Sequence, residues 1–376
     1  MNIQMNDLQS QYKRLEKEID AAIKEVFNHA FFINGPNVQV FCSCLAEYMH
    51  IPYVIPCGNG TDAIRLALQA LNVQTGDEII LPAFMYIAAA EMVASLGLVP
   101  VLVDVNADTF NINTEHIERA ITRKTKAIIV VHLFGQACDM EPVMKLAEKY
   151  KINVVEDNAQ SLGADYTFSD GTTKKAGTIG HIGTTSFFPT KPLSCHGDGG
   201  AVMTFDSELA ERIRMLANHG QTQKYHHKII GCNSRLDTIQ AAILNVKLNY
   251  IDDFMRERQK VARYYDQTLS RLSEISIPEK TAFSTHVYHQ YTLKVKNEQR
   301  DALQAYLKKC GIQATVYYPL SVHEQEGYKW VARVSGDMSV SPRLCKEVLS
   351  LPIYTEMTDE MLRLITDSIV CFFRKK

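Results

Sequence analysis

Between residues 7 and 29, Leu8, Tyr12, Leu15, Ile19, Ile23 and Val26 recur every three or four positions, so an amphipathic helix is predicted there, ending before Gly35-Pro36. A second helical pattern, Val38, Phe41, Leu45 and Tyr48, leads into a change of rhythm. The stretches 53–57, 78–82, 100–105, 126–134, 153–157, 184–188 and 201–205 are short, apolar and β-branched, and helical patterns separate them at 61–71, 87–96, 115–121, 141–150 and 208–219. Strands that read apolar on both faces and alternate with helices imply an α/β fold with a mainly parallel sheet covered on both sides. In such sheets ligands sit beyond the carboxyl ends of the strands. From 236 to 272 neither proline nor glycine interrupts a helical pattern, and one long helix is predicted to carry the chain onward. Strands at 286–295 and 313–318 and helices at 299–309, 342–349 and 359–373 then form a smaller α+β unit. The expected division is a large α/β domain over 1–245 and a linking helix with a small domain over 246–376.

Composition narrows the function classes. The 376 residues are 46% hydrophobic and 22% charged, values of an ordinary globular chain. Forty Lys+Arg against 42 Asp+Glu leave a net charge of −2, so no basic field exists to attract nucleic acid or an anionic membrane surface. The nine cysteines form no Cys-x-x-Cys pair, which points to neither a disulfide framework nor a metal centre. The N-terminus is polar and no run of 18 apolar residues occurs, so a cytoplasmic protein with no membrane partner is expected.

The unusual residues cluster where the strands end. After the first strand, CGNGTDAIRLAL offers Gly58, Gly60 and Ala63 in a G-x-G-x-x-A pattern. A dinucleotide site also needs an acid at the end of the second strand, but EIILP ends in Pro82 and its acids, Asp77 and Glu78, lie at the other end. What remains is an anion cradle: glycines allow close approach, and Gly60-Thr61-Asp62 opens a helix whose free N–H groups favour phosphate. A plain glycine turn with Thr61 or Asp62 as N-cap is the competing reading. The fifth strand ends in VVEDNAQS, with Asp157 and Gln160 beyond it. The next, TSFFPTKPLSCHGDGG, sets Lys191 between Pro189 and Pro192 after Ser186. Most lysines are solvated surface charges; a strand end and flanking prolines set this one apart. A phosphate cradle, an aspartate and a rigidly held lysine match the needs of pyridoxal 5′-phosphate, with Tyr86 placed to stack on its ring and Phe84 as the competing aromatic.

The blocks GTDAIRLAL, VEDNAQSLGA, SFFPTKPL with GDGGA, and NSRLDTIQAAIL, in order over nearly the whole chain, resemble those of the DegT/DnrJ/EryC1/StrS family of nucleotide-sugar aminotransferases. The resemblance implies a fold-type I pyridoxal-phosphate-dependent aminotransferase. By position it implies Lys191 as the Schiff-base lysine, Asp157 as the partner of the pyridine nitrogen, and Gln160 beside the phenolic oxygen. It gives Gly60, Thr61, Asp62 and Ser186 as phosphate contacts, and Asn233 as a contact from the second subunit of a homodimer with shared sites. Asp198 stands where many members carry glutamate, and Gln160 where many carry histidine.

Within the family, the run from Asn218 to Leu244 looks most like the enzymes that aminate C3 of UDP-2-acetamido-3-keto-glucuronic acid for surface polysaccharide, including O-antigen. The resemblance then implies L-glutamate as amino donor and Arg235, Tyr317 and Tyr318 as sugar contacts. Tyr317 takes the place of an expected histidine, in VYYP. A neutral dTDP- or UDP-linked 3- or 4-keto-deoxy sugar is the alternative substrate. A sugar dehydratase of the same family carries histidine in place of the lysine, and a non-catalytic regulator is opposed by the charge of −2.

Overall fold

The computed structural model describes residues 2–374. The first part of the chain contributes seven strands to the large sheet: β1 (Tyr53–Cys57), β2 (Glu78–Pro82), β3 (Val99–Val103), β4 (Thr125–Val131), β5 (Asn153–Asp157), β6 (Ile182–Ser186) and β7 (Gly200–Thr204). The later part adds β8 (Ile275–Ser276), β9 (Tyr291–Val295), β10 (Arg333–Val334) and β11 (Val348–Leu351). The large sheet has the order β1-β7-β6-β5-β4-β2-β3-β10, and all neighbours are parallel except around β7, which runs antiparallel to β1 and β6. β8, β9 and β11 form a small antiparallel sheet.

The continuous apolar strands are explained by two cores. Ile79, Leu81, Leu102 and Ile129 pack on one face, with the helices Gly60–Ala70, Ala88–Ser95 and Ser207–Ala217. Their neighbours Ile80, Val101, Val103 and Ile128 pack on the other, against Thr114–Ala120 and Met140–Tyr150. Alternate side chains point to opposite faces, so a strand covered twice must be apolar at every position. A third core gathers Val261, Tyr265, Leu293, Leu307, Leu349 and Ile365 around the small sheet. The parts interlock: β10 returns to the edge of the large sheet, and Ile3 bridges to Ile312.

Five expectations change, the first being the strand over 286–295, which is only Tyr291–Val295. The single helix over 236–272 is two, Thr238–Leu248 and Ile251–Leu269, parted at Tyr250, whose φ of −110° and ψ of 3° leave the helical region without proline or glycine. The fourth strand stops at Val131; Leu133–Gly135 is a tight 3-10 turn, with Phe134 at φ 59°. No strand forms over 313–318, where only Thr315 bridges to Ser350. The helix near 342–349 is Val340–Glu347, and Val348 begins β11, because Leu349 and Leu351 are needed in the small core.

Candidate active site

The carboxyl ends of β1, β2, β4, β5 and β6 face the same edge of the sheet, and the chain places most of its unusual residues there. After β1 the helix Gly60–Ala70 begins, capped by Asn59, whose side chain accepts the Asp62 N–H at 2.8 Å. Asn59 therefore replaces Thr61 and Asp62 as the cap. The N–H groups of Gly60 and Thr61 stay outside the intrahelical ladder and point outward with the positive end of the dipole. A Cβ on Gly60 would come within 2.6 Å of the Ser186 Cβ, so glycine is what lets β6 deliver its hydroxyl against the helix start.

Asp62 is anchored from elsewhere in the chain. Its carboxylate accepts the Ser234 hydroxyl at 2.6 Å, and Ser234 Oγ accepts the Gly58 N–H at 2.9 Å. The motif NSRLD thus touches the cradle through its serine, a contact invisible to sequence reading because its partners lie 172 and 176 residues away. Asn233 beside it is exposed. Arg235 donates from Nη2 to Asn218 Oδ1 at 2.8 Å, while its Nε is buried without a partner. It neither caps a helix nor pairs with Asp237.

Asp157 lies at the end of β5, in register with Thr184 on β6, two residues before Ser186. Its carboxylate accepts the Ala159 N–H at 3.0 Å. Withdrawal from water pushes its pKa up, opposed by that N–H and by the charge of Lys191. Desolvation likewise pushes the Lys191 ammonium down, opposed by Asp157. A partly buried lysine of lowered pKa more readily supplies neutral amine, the form that attacks an aldehyde. The turn around it is fixed by the Lys191 N–H donating to the Phe188 carbonyl at 2.8 Å.

Glu156, the neighbour of Asp157, points to the opposite side and is fully buried. It accepts the N–H groups of Gly177, Ile179 and Gly180, and the His132 ring at 2.8 Å. Because the Cys138 N–H donates to His132 Nδ1 at 3.0 Å, the ring proton sits on Nε2, facing Glu156. Burial opposes ionisation of Glu156, but His132 and the backbone donors outweigh it and hold the carboxyl below its usual range. This buried knot sets the strand end that carries Asp157. A charged residue inside an apolar strand was its only trace in the sequence.

Gln160 is also held on both sides: Oε1 accepts the Phe134 N–H at 2.7 Å, and Nε2 donates to the Tyr318 hydroxyl at 3.2 Å. Tyr318 follows a cis peptide bond from Tyr317, and burial pushes its hydroxyl pKa up. Its ring lies 6.2 Å from that of Tyr86. Tyr86 is 59% exposed, whereas Phe84 is buried among Phe110, Phe134 and Tyr318. Of the two aromatics only Tyr86 offers a free face. Tyr317 is half-buried, its ring 5.9 Å from Tyr318. Among the described residues no group of three or more His, Cys, Asp or Glu is arranged to hold a metal ion.

A helix start carrying free N–H groups and a hydroxyl, a carboxylate and lysine in mutual electrostatic reach, and an exposed ring beside them fit pyridoxal 5′-phosphate. Together with the mainly parallel sheet and the smaller α+β unit, they define a pyridoxal-phosphate-dependent aminotransferase of fold type I. The chain belongs to the DegT/DnrJ/EryC1/StrS aminotransferase family, which residues 13–370 match. It is 42% identical over 363 residues to the UDP-2-acetamido-2-deoxy-3-oxo-D-glucuronate aminotransferase of Pseudomonas aeruginosa, covering 96% of this chain and 98% of that one. It is also 42% identical over 376 residues to a pleiotropic regulatory protein of Geobacillus stearothermophilus, covering 100% of this chain and 99% of the other. Among solved structures, a family aminotransferase from Brucella abortus superposes with a TM-score of 0.93 at 38% identity, covering 98% and 99% of the two chains. The NtdA protein of Bacillus subtilis, with bound cofactor PMP, superposes with a TM-score of 0.87 at 32% identity, covering 95% of this chain and 82% of that one. The protein is a sugar-nucleotide aminotransferase.

Proposed function

We propose that the protein transfers the amino group of L-glutamate to UDP-2-acetamido-3-keto-glucuronic acid, in the cytoplasm, on a route to surface polysaccharide such as O-antigen. The observation that carries the uronate reading is Arg235, whose Nε is buried without a partner while Nη2 is held by Asn218. A guanidinium left with free donors suits a carboxylate. The Pseudomonas relative acts, by its name, on a 3-oxo-glucuronate, which agrees with this chemistry.

In this reading the phosphate group rests on the Gly60, Thr61 and Asp62 segment and on Ser186, Asp157 keeps the pyridine nitrogen protonated, and Gln160 faces the phenolic oxygen. Bound there, pyridoxal phosphate supplies an electron sink for the carbanion at the reacting carbon. Lys191 Nζ would hold the cofactor's aldehyde and, as a free amine, would move a proton at the reacting carbon of the substrate. Tyr86 covers one ring face, and Tyr317 and Tyr318 turn hydroxyls toward the sugar.

We further propose a homodimer with shared sites, Asn233 and Arg235 reaching the neighbouring subunit's cofactor and substrate. Phe27, Phe31 and Ile33 are exposed by 58, 63 and 52%, and Ile33 bridges to Asp237, so an apolar surface adjoins the segment 233–237. Burial of such a patch favours self-association. Mixing inactive Lys191→Ala protein with an inactive Asn233→Ala/Arg235→Lys protein is expected to restore activity as subunits exchange. Activity of an isolated monomer would contradict shared sites.

Glutamate and a panel of keto-sugar nucleotides, with product masses read by mass spectrometry, test the substrate. The 3-keto-glucuronate is expected to react fastest, and Arg235→Lys to weaken its use by roughly 1.5 to 3 kcal/mol, the range for a hydrogen bond to a charged group. The glutamate half-reaction should be unchanged. Equal turnover of uronate and neutral hexose by the unmodified enzyme would favour the second reading, a neutral dTDP- or UDP-linked keto-deoxy sugar, to which Tyr317 in place of histidine lends support.

A further inference from the structure

We infer that Lys247, together with Gln240, is a positioning residue: the two side chains clamp the turn that follows Lys191 and hold that lysine in its working place. This rests on the reading of Lys191 as the cofactor-bearing lysine. Lys247 lies in the helix Thr238–Leu248 and is only 2% exposed, a rare state for a lysine. Its Nζ donates to the hydroxyl of Ser194 at 3.2 Å, and Ser194 is itself buried. Seven residues earlier on the same helix, two turns and therefore the same face, Gln240 grips His196 at both backbone groups. Its Oε1 accepts the His196 N–H at 2.9 Å, and its Nε2 donates to the His196 carbonyl at 3.4 Å.

The sequence of the turn is shaped to this clamp. A Cβ on Gly197 would come within 2.8 Å of Gln240 Nε2, and one on Gly199 within 2.7 Å of Cys195 Sγ. Leu193, Cys195, Leu244 and Leu248 pack in the same core between the two contacts. The Cys195 N–H also donates to the Phe187 carbonyl at 2.7 Å, closing the loop around Lys191.

The charged surroundings show that Lys247 is kept at a cost. Burial lowers its pKa to about 8, opposed by Cys195 and by Glu356. Glu356 comes from the segment after β11; both its oxygens are buried without hydrogen-bond partners, with Arg14 Nη1 at 3.8 Å and Arg258 in electrostatic reach. His196 is pushed down to about 4 by burial and by the Lys247 charge, and so stays neutral. An apolar chain of equal length would pack there without desolvating a charge.

Lys247→Met, which keeps length and volume, separates positioning from simple support. In the cofactor-loaded protein, hydrogen exchange of the amides of 193–198 is expected to rise about ten-fold, the loss of one hydrogen bond to a charged group, while the helix 238–248 keeps its protection. The melting temperature should stay level or rise, since a buried charge is removed. Turnover should fall about ten-fold with KM values changed less than about two-fold, as for a group that acts on the transition state alone. Ser194→Ala, which leaves the helix intact, should reproduce the rise in exchange and serves if Lys247→Met does not fold. Unchanged exchange over 193–198, or an equal rise in the turn and the helix, overturns the inference. Mapping of the reduced cofactor to a lysine other than Lys191 in the unmodified enzyme would instead overturn the reading on which it rests.

Discussion

Lys191→Ala is expected to fold, bind cofactor loosely and lose at least about four orders of magnitude in turnover, the upper end of what a positioned acid–base group contributes. The same side chain is assigned two tasks, anchor and proton carrier, so no neighbour can substitute. Lys174 and Lys175 lie on the separate hairpin strand Thr173–Lys175, Lys175 paired with Asp165 at 2.8 Å, away from the helix start that offers free N–H groups. Borohydride reduction of the yellow holoenzyme followed by peptide mapping should therefore place the cofactor on Lys191. Label on Lys174 or Lys175 would show the site to be misassigned.

Asp157→Ala should retain the fold and lose roughly 10³-fold in rate. Without a carboxylate at that place the pyridine nitrogen tends to lose its proton. Holding a pKa up by about three units requires about 4 kcal/mol at 1.36 per unit, which corresponds to about a thousand-fold in rate. The fold survives because the strand end is secured by Glu156, not Asp157: three backbone N–H groups and His132 converge on the former, a single N–H on the latter. The measurement is turnover beside a melting curve. An Ala variant with near-normal turnover would remove Asp157 from this role, and Glu156→Ala, by contrast, should fail mainly in folding, since it leaves several buried donors unpaired.

The long helix shows where local pattern stops being informative. From 236 to 272 every residue is compatible with a helix, and the break at Tyr250 appears only because Thr238–Leu248 must lie on the core of Phe41, Phe187 and Leu193 while Ile251–Leu269 turns toward Tyr291 and Leu293. The stretch over 313–318 misled in the opposite way: β-branched and aromatic residues suggest a strand, but the chain there packs Tyr318 against Phe84 and Tyr86 and finds no ladder beyond Thr315.

What could be read from the chain alone was what depends on neighbours in sequence. The period of apolar residues marks helices and doubly covered strands, and a parallel sheet then directs attention to the residues just past each strand, which brought out Gly60, Asp157 and Lys191, while Ser186 came from the family resemblance. The tertiary structure decided everything that joins distant segments: Ser234 bridging Gly58 to Asp62, the His132–Glu156 knot behind Asp157, and Gln160 held between Phe134 and Tyr318. Hydrogen bonds of 2.6 to 3.2 Å between residues up to 176 positions apart leave no periodic mark, because their geometry exists only once the sheet has brought its strand ends to one edge.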